Sequence, residues 1–327
     1  MKRYIKMVAA LLGLLASFTA CENGDQTFDD YEGGTTVMFV YQSPVRTIVL
    51  GDDEYDTSID KEHKCKIKAT FAGSYNGRKG YVNVAVDNSL CDHLTFADGT
   101  PVKAMPAEYY SLSTNKLDFK GGMTGETVVQ LTDAFFNDPD AVKNTYVIPL
   151  AMTDQQGFDR ISAGTLKEGA TGSRTNAAIW ETAPKDYVMY CVKYQNKYSG
   201  WWLTHHNTST DNIEKASKVQ ITTRTLNSSV YSVEFQEGST IYKADLLLTF
   251  DANEKCTITS LTDGVTATGT GSWADDALLS WNNKYRDLME LNAEITFAGG
   301  VKKNLNEKLV WQRSGVTKEE FSFTYNN

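Results

Sequence analysis

Short apolar alternations, not long helical periods, organise this chain. Val37-Met38-Phe39-Val40-Tyr41 is an apolar run typical of a buried strand. Cys65, Ile67, Ala69 and Phe71 alternate with Lys64, Lys66, Lys68 and Thr70, which puts one face in a core and the other in water. Val82, Val84 and Val86 alternate with Asn83, Ala85 and Asp87 in the same way. Further strands are expected over 116–119, 127–131 and 146–152. Turn residues separate them at Ser74-Tyr75-Asn76-Gly77, Asp98-Gly99 and Gly121-Gly122. Short strands punctuated in this way predict an antiparallel, immunoglobulin-like β-sandwich over 36–165. The one helical opening is 134–144, a short turn around Pro139.

The pattern breaks between 159 and 184, where Gly164, Gly169, Gly172 and Ser173 replace aliphatics. We read 166–186 as a connector. From 187 to 327 the β signature returns, with strands expected at 187–194, 219–224, 230–235, 242–250, 256–261, 266–273, 291–297, 305–313 and 321–325. The cleanest hairpin runs Leu291, Ala293, Ile295, Phe297, turns at Ala298-Gly299-Gly300, and returns through Leu305, Leu309 and Trp311. Meandering strands in this number, over about 140 residues, suit a closed antiparallel barrel. Closure hides the strand edges that an open sheet exposes. The expected fold class is all-β, a sandwich followed by a barrel.

Composition adds limits. The 327 residues carry 32 Lys+Arg against 41 Asp+Glu, a formal net charge of −9, so the chain has no general electrostatic claim on nucleic acid. The N-terminus is the exception to the acidic balance. Lys2, Arg3 and Lys6 precede an uncharged stretch from 7 to 20, which has the length of a signal-peptide core and is short for a membrane span. It ends in Ala16-Ser17-Phe18-Thr19-Ala20-Cys21. Small residues before a cysteine suit a lipoprotein signal peptidase, with 1–20 removed and Cys21 lipidated. Ordinary secretion with cleavage near Ala20 is the alternative. Residues 21–35 then form an acidic tether. No later segment approaches the ~18 consecutive apolar residues of a spanning helix.

Cys65, Cys91, Cys191 and Cys256 remain after Cys21. An oxidising compartment permits disulfides, but each cysteine sits in a strand-like alternation where a free thiol also packs well. Both readings stay open. There is no zinc-type Cys/His spacing, and adjacent His205 and His206 would point to opposite faces of a strand. No metal and no cofactor is expected. The acidic run Gly51-Asp52-Asp53-Glu54-Tyr55-Asp56 lacks the spacing of a calcium loop and reads as a solvated loop.

Several segments together resemble a known arrangement. They are Glu108-Tyr109-Tyr110-Ser111-Leu112 and Tyr146-Val147-Ile148-Pro149-Leu150 in the first half. In the second are Tyr198-Ser199-Gly200-Trp201-Trp202, Gly269-Thr270-Gly271-Ser272-Trp273, Trp281-Asn282-Asn283-Lys284-Tyr285-Arg286-Asp287 and Leu309-Val310-Trp311-Gln312-Arg313-Ser314-Gly315-Val316. The chain resembles the two-domain outer-membrane lipoproteins of Bacteroides glycan-utilisation loci, with a sandwich and a lipocalin-like barrel. The tether Glu22 to Asp30 resembles the acidic export tag of lipoproteins that reach the outer face of the outer membrane. The resemblance implies lipid-anchored capture of an oligosaccharide or polysaccharide beside a transporter of the starch-utilisation type. Gly200-Trp201-Trp202 fits a Gly-x-Trp signature, and Arg313 is expected to stack on Trp202 and plug the barrel, a core role.

A sugar has an apolar C–H face and a rim of hydroxyls, best met by an open ring flanked by carboxylates and amides. Candidate ligand residues are Trp201, Trp273, Asp275, Asp276, Trp281, Asn282 and Tyr285, with Trp201 turned outward if Trp202 points in. No Gly-x-Ser-x-Gly, phosphate loop or His-Glu-x-x-His is present, so the expected function is non-enzymatic. An adhesin or accessory subunit binding another outer-membrane protein, a glycoside hydrolase, and a lipocalin-like carrier are the alternatives. If the anchor reading is right, Cys21→Ser abolishes incorporation of labelled palmitate and moves the protein from the membrane fraction to the soluble one.

Overall fold

The computed structural model describes residues 29–204 and 216–326. The leader, Cys21 and the start of the tether lie outside the described residues, as do His205, His206 and Asn207. Strands are the dominant regular element of the described chain, as the periodicity predicts.

The first domain is a sandwich of two sheets. One has the strand order Arg160–Ile161, Thr36–Phe39, Lys64–Ala72, Thr124–Leu131, Tyr110–Leu112. Lys64–Ala72 buries Cys65, Ile67, Ala69 and Phe71 as the alternation requires, and its wet face pairs Lys66 with Glu126 at 2.6 Å. The facing sheet has the order Glu319–Glu320, Pro44–Val49, Tyr187–Gln195, Tyr146–Gln156, Tyr81–Val86, Lys116–Asp118. Most pairs are antiparallel, but Pro44–Val49 lies parallel to Tyr187–Gln195. The first seven residues of Tyr146–Gln156 are all buried, because both faces of this sheet are covered. Ile148 and Leu150 face the main core with Phe39, Ile67 and Phe135. Val147 faces a second core of Leu90, Phe96, Met189, Cys191 and Phe321.

Two segments expected in the barrel belong here instead. Tyr187–Gln195 is a central strand of the sandwich, held between Tyr146–Gln156 and Pro44–Val49. Phe323–Tyr325, at the end of the chain, pairs with Leu94–Phe96. The barrel expected over 187–327 is therefore built from strands between Gly200 and Arg313. Alternation cannot reveal this, because a strand covered on both faces looks alike in either domain. Thr165–Leu166, where the expected sandwich meets the expected connector, and Trp180–Thr182 within the connector form a small two-stranded ladder.

The barrel closes through eight antiparallel strands: Gly200–Thr204, Ser217–Thr225, Ser228–Glu237, Thr240–Phe250, Lys255–Ser260, Thr266–Leu279, Tyr285–Thr296 and Lys302–Arg313. Gly200–Thr204 pairs with both Ser217–Thr225 and Lys302–Arg313, which completes the ring. The interior is a packed core containing Trp202, Leu246, Leu248, Met289, Leu291 and Ile295. Tyr198 stacks on Phe250 with ring centroids 3.8 Å apart and planes 7° from parallel. At Gly271 an added Cβ would lie 2.4 Å from the Glu290 carbonyl oxygen, so the adjacent strands close up only around glycine.

Arg313 does not plug the barrel. The ladder shifts register so that Trp202 faces Trp311 while Trp201 faces Arg313, with Gln312 the extra residue. That bulge turns Arg313 to the outer side with Trp201, where it is exposed. Trp202 is fully buried, and its indole N–H donates to the Tyr198 carbonyl at 3.1 Å. All four described cysteines are free and buried, each a small apolar core residue. Burial pushes the Cys65 and Cys191 thiols up to about 12.

Between the domains sits a buried amide, Asn196. Its Nδ2 donates to the Thr225 carbonyl at 2.7 Å and the Ser228 carbonyl at 2.9 Å. Its Oδ1 accepts from the Ser199 hydroxyl at 2.7 Å. If the C-terminal tail completes the sandwich, deleting residues 319–327 opens the second core at Phe321. The expected cost is about 3–5 kcal/mol, read as a lowered urea midpoint for the sandwich transition. A tail serving only the barrel leaves that transition unchanged.

Candidate functional site

The longest hairpin of the barrel builds the site. Thr266–Leu279 and Tyr285–Thr296 stay in register from Thr266↔Thr296 to Ala274↔Leu288, then resume at Leu278↔Arg286. Asp275, Asp276 and Ala277 therefore stand against Asp287 alone, an enlarged bulge that bends the strand. Asp276 occupies the left-handed region with φ 44°, and its N–H donates to Asp287 Oδ1 at 3.1 Å. Asn282 and Asn283 make the turn with φ 60° and 55°, a conformation asparagine tolerates better than most residues. The Ser280 N–H closes it on the Lys284 carbonyl at 2.9 Å.

Facing this tip is the sandwich loop that begins at Leu50 and Gly51. The Leu50 N–H donates to the Gln195 carbonyl at 3.0 Å, and Thr57 Oγ1 donates to the Gly51 carbonyl at 2.9 Å. The Ser314 hydroxyl donates to Asp53, joining the loop to the end of the last barrel strand. Between loop and hairpin lies a cleft of about 690 Å³. Asp52, Asp53 and Glu54 form one wall. Asp276, Trp281, Asn282, Tyr285 and Arg286 form the other, with Lys218, Gln312 and Arg313 at the base.

The cleft mixes rings with charges of both signs. The Arg286 guanidinium lies 3.7 Å over the Trp281 ring and covers one face of it. Tyr285 is 61% exposed, and its cross-strand neighbour Leu279 is 51% exposed. Arg286 Nε and Gln312 Oε1 are shielded from solvent without a hydrogen-bond partner among the described residues. Burial pushes the Asp287 carboxyl up to about 7; Asp275 and Asp52 add to the shift, and the Asp276 N–H opposes it. Burial lowers the Arg286 guanidinium, against which Glu54 holds it charged.

The structure gathers Asp276, Trp281, Asn282 and Tyr285 from the candidate residues, with Asp275 beside them in contact range of Asp52 and Asp287. It places two others elsewhere. Trp273 faces Met289 on the inner side of the barrel and is only 8% exposed. Tyr198 meets it edge-on at 5.7 Å, and Lys197 Nζ lies 4.2 Å from its ring, so it offers no open stacking surface. Trp201 does turn outward, but Lys218 Nζ lies 4.6 Å from its ring and Gly315 packs against its edge. It is half-buried and outside the cleft lining.

The acidic loop from Gly51 to Asp56, read as merely solvated, proves to be a wall of the cleft. No local signal marks it, because its role depends on which domain surface it meets. Arg286 and Asp287 had a signal, their place in the Trp281-to-Asp287 segment. Arg313 was read for the core, and only the bulge at Gln312 brings it here.

Fold and cleft together define a two-domain, all-β protein with a pocket of mixed charge at the domain seam. A family profile described as a domain of unknown function, DUF5627, matches residues 187–315, and one described as an N-terminal domain matches 30–159. Neither describes a catalytic family. A solved protein of unknown function from Bacteroides ovatus is 30% identical, with a TM-score of 0.81 over 91% of this chain and 100% of that one. The chain belongs to the same family as that protein. A multidomain B. ovatus protein including DUF1735 shares 11% identity, with a TM-score of 0.39 over 84% of this chain and 92% of its own. A putative carbohydrate binding protein from B. ovatus shares 11% identity, with a TM-score of 0.26 over 89% of this chain and 98% of its own. Both are too distant to carry weight. No curated protein matches the chain.

A core role for Trp273 makes a definite prediction. Trp273→Ala is expected to destabilise the barrel by about 3–5 kcal/mol in urea melts. Loss of a surface platform would leave the melt within about 0.5 kcal/mol of wild type.

Proposed function

We propose that this protein is a lipid-anchored, non-enzymatic binder at the cell surface. It holds an oligosaccharide or a segment of polysaccharide in the seam cleft and passes it to a neighbouring outer-membrane transporter of the starch-utilisation type. The observation that carries the reading is the composition of the cleft. An open Tyr285 ring and the edge of Trp281 stand among Asp276, Asn282, Arg286 and Asp53. A pyranose matches this mixture, since its C–H face packs on a ring while its hydroxyls donate to carboxylates and accept from guanidinium and amide groups. Charges of both signs suit a neutral sugar better than a strongly ionic ligand.

The packed barrel interior favours the seam over the lumen as the binding place, so a small-ligand carrier gains no support. One observation favours a second reading. Leu279 and Tyr285 make an exposed apolar pair at the hairpin tip, which would also serve as a contact for a protein partner.

Tyr285→Ala separates these readings from a structural role. Its ring is mostly in water, so the urea midpoint stays where it is. For the glycan reading, affinity for an oligosaccharide that binds the wild-type chain falls at least about tenfold, roughly 1.4 kcal/mol, by titration calorimetry. Tryptophan fluorescence of the wild-type chain shifts on the same addition. A folded protein with no response across a broad glycan array sinks this reading. Sugar-independent co-purification with a transporter, lost in Tyr285→Ala, supports the protein-contact reading instead.

A further inference from the structure

Three carboxylates meet across the seam between the domains. Asp52 comes from the sandwich loop, and Asp275 and Asp287 come from facing strands of the barrel hairpin. One oxygen of each lies within 4.8 Å of the other two. Asp287 is 4% exposed, so water screens it poorly. Asp276 lies beside it on the bulged strand, and Glu54 lines the same cleft. Against these acids stands Lys61, which pairs with Asp52 and senses Asp275 and Asp287 at longer range. The other cations of the cleft, Lys218, Lys284, Arg286 and Arg313, form no ion pair with Asp52, Asp275 or Asp287 among the described residues. One ammonium cannot offset three carboxylates, and crowded like charges in a partly buried site do not all stay ionised.

We propose that a proton held among Asp52, Asp275 and Asp287 latches the sandwich loop onto the barrel hairpin, and that losing this proton loosens one wall of the cleft. The latch is independent of what the cleft holds. The titration of Asp287 agrees with the geometry: burial pushes its carboxyl up to about 7, and Asp275 and Asp52 push in the same direction. The sign follows from linkage. An open or unfolded Asp287 releases its proton near the ordinary value of about 4, while the closed seam keeps it to about 7. Closure therefore binds a proton between those values. The stability it confers is full below about 4, falls as pH rises through the window, and is level above about 7.

Hydrogen exchange of the full chain tests this. Segments 51–57 and 274–287 are followed from pH 5 to pH 8, with rates corrected for intrinsic pH dependence. In the wild-type chain their protection is expected to fall at least about tenfold across that range. Asp287→Asn, which keeps the shape without the charge, gives a flat profile. Asp275→Asn, at an exposed position, removes one repelling neighbour and moves the wild-type midpoint lower, which keeps the idea testable if the Asp287 variant does not fold. A wild-type profile without the fall overturns the latch, as does the same fall in Asp287→Asn or an unmoved midpoint in Asp275→Asn. Calcium chloride at pH 8 restoring wild-type protection also overturns it, because a cation and not a proton would then close the seam.

Discussion

The structure depends most on the short passage where the sandwich strand Tyr187–Gln195 ends and the barrel begins. Asn196 is 1% exposed, and its amide satisfies the backbone turn between the second and third barrel strands while accepting from Ser199. Gln195 Nε2 reaches the Ser199 carbonyl at 3.0 Å and the Ser314 carbonyl at 3.2 Å, tying the first and last barrel strands to the same point. A buried amide left unpaired costs about 1–3 kcal/mol, so these bonds persist as a set. Because Tyr187–Gln195 is itself central in the sandwich, the barrel is mounted on a core element rather than hung from a linker. The loop at Gly51 and the hairpin tip thus face each other in a defined way, and the cleft has walls of fixed origin.

That mounting explains why chemistry collects at the seam and not inside the barrel. The lumen is filled by Trp202, Met289, Leu291 and their neighbours, with a few polar groups among them, such as Tyr231 bonded to Glu307 at 2.6 Å. The hairpin, by contrast, overshoots the barrel rim. Its bulge at Asp275 to Ala277 bends it toward the sandwich, and the two left-handed asparagines turn it back. Side chains there cannot enter the core. They instead supply rings, carboxylates and a guanidinium to a surface shared by both domains. The same overshoot brings Asp275 and Asp287 against Asp52, so the residues around the cleft also carry an unbalanced charge.

The chain by itself determined the secondary structure, the order of the two domains and the neighbourhood of the hairpin site. Alternation at Lys64–Ala72 and along the Leu291-to-Trp311 hairpin reads directly as strand, because a half-buried strand has no other way to place its apolar residues. Trp281, Asn282 and Tyr285 were legible because rings, amides and charges are dense there and aliphatics few. Three matters were decided only by tertiary structure. Tyr187–Gln195 joined the sandwich, because burial on both faces erases the alternation that would assign it. Arg313 went outward, because a bulge of one residue changes face and leaves no local mark in composition. Asp52 became a partner of Asp275 and Asp287 because a contact between distant loops follows from how two domains pack, which no local pattern encodes.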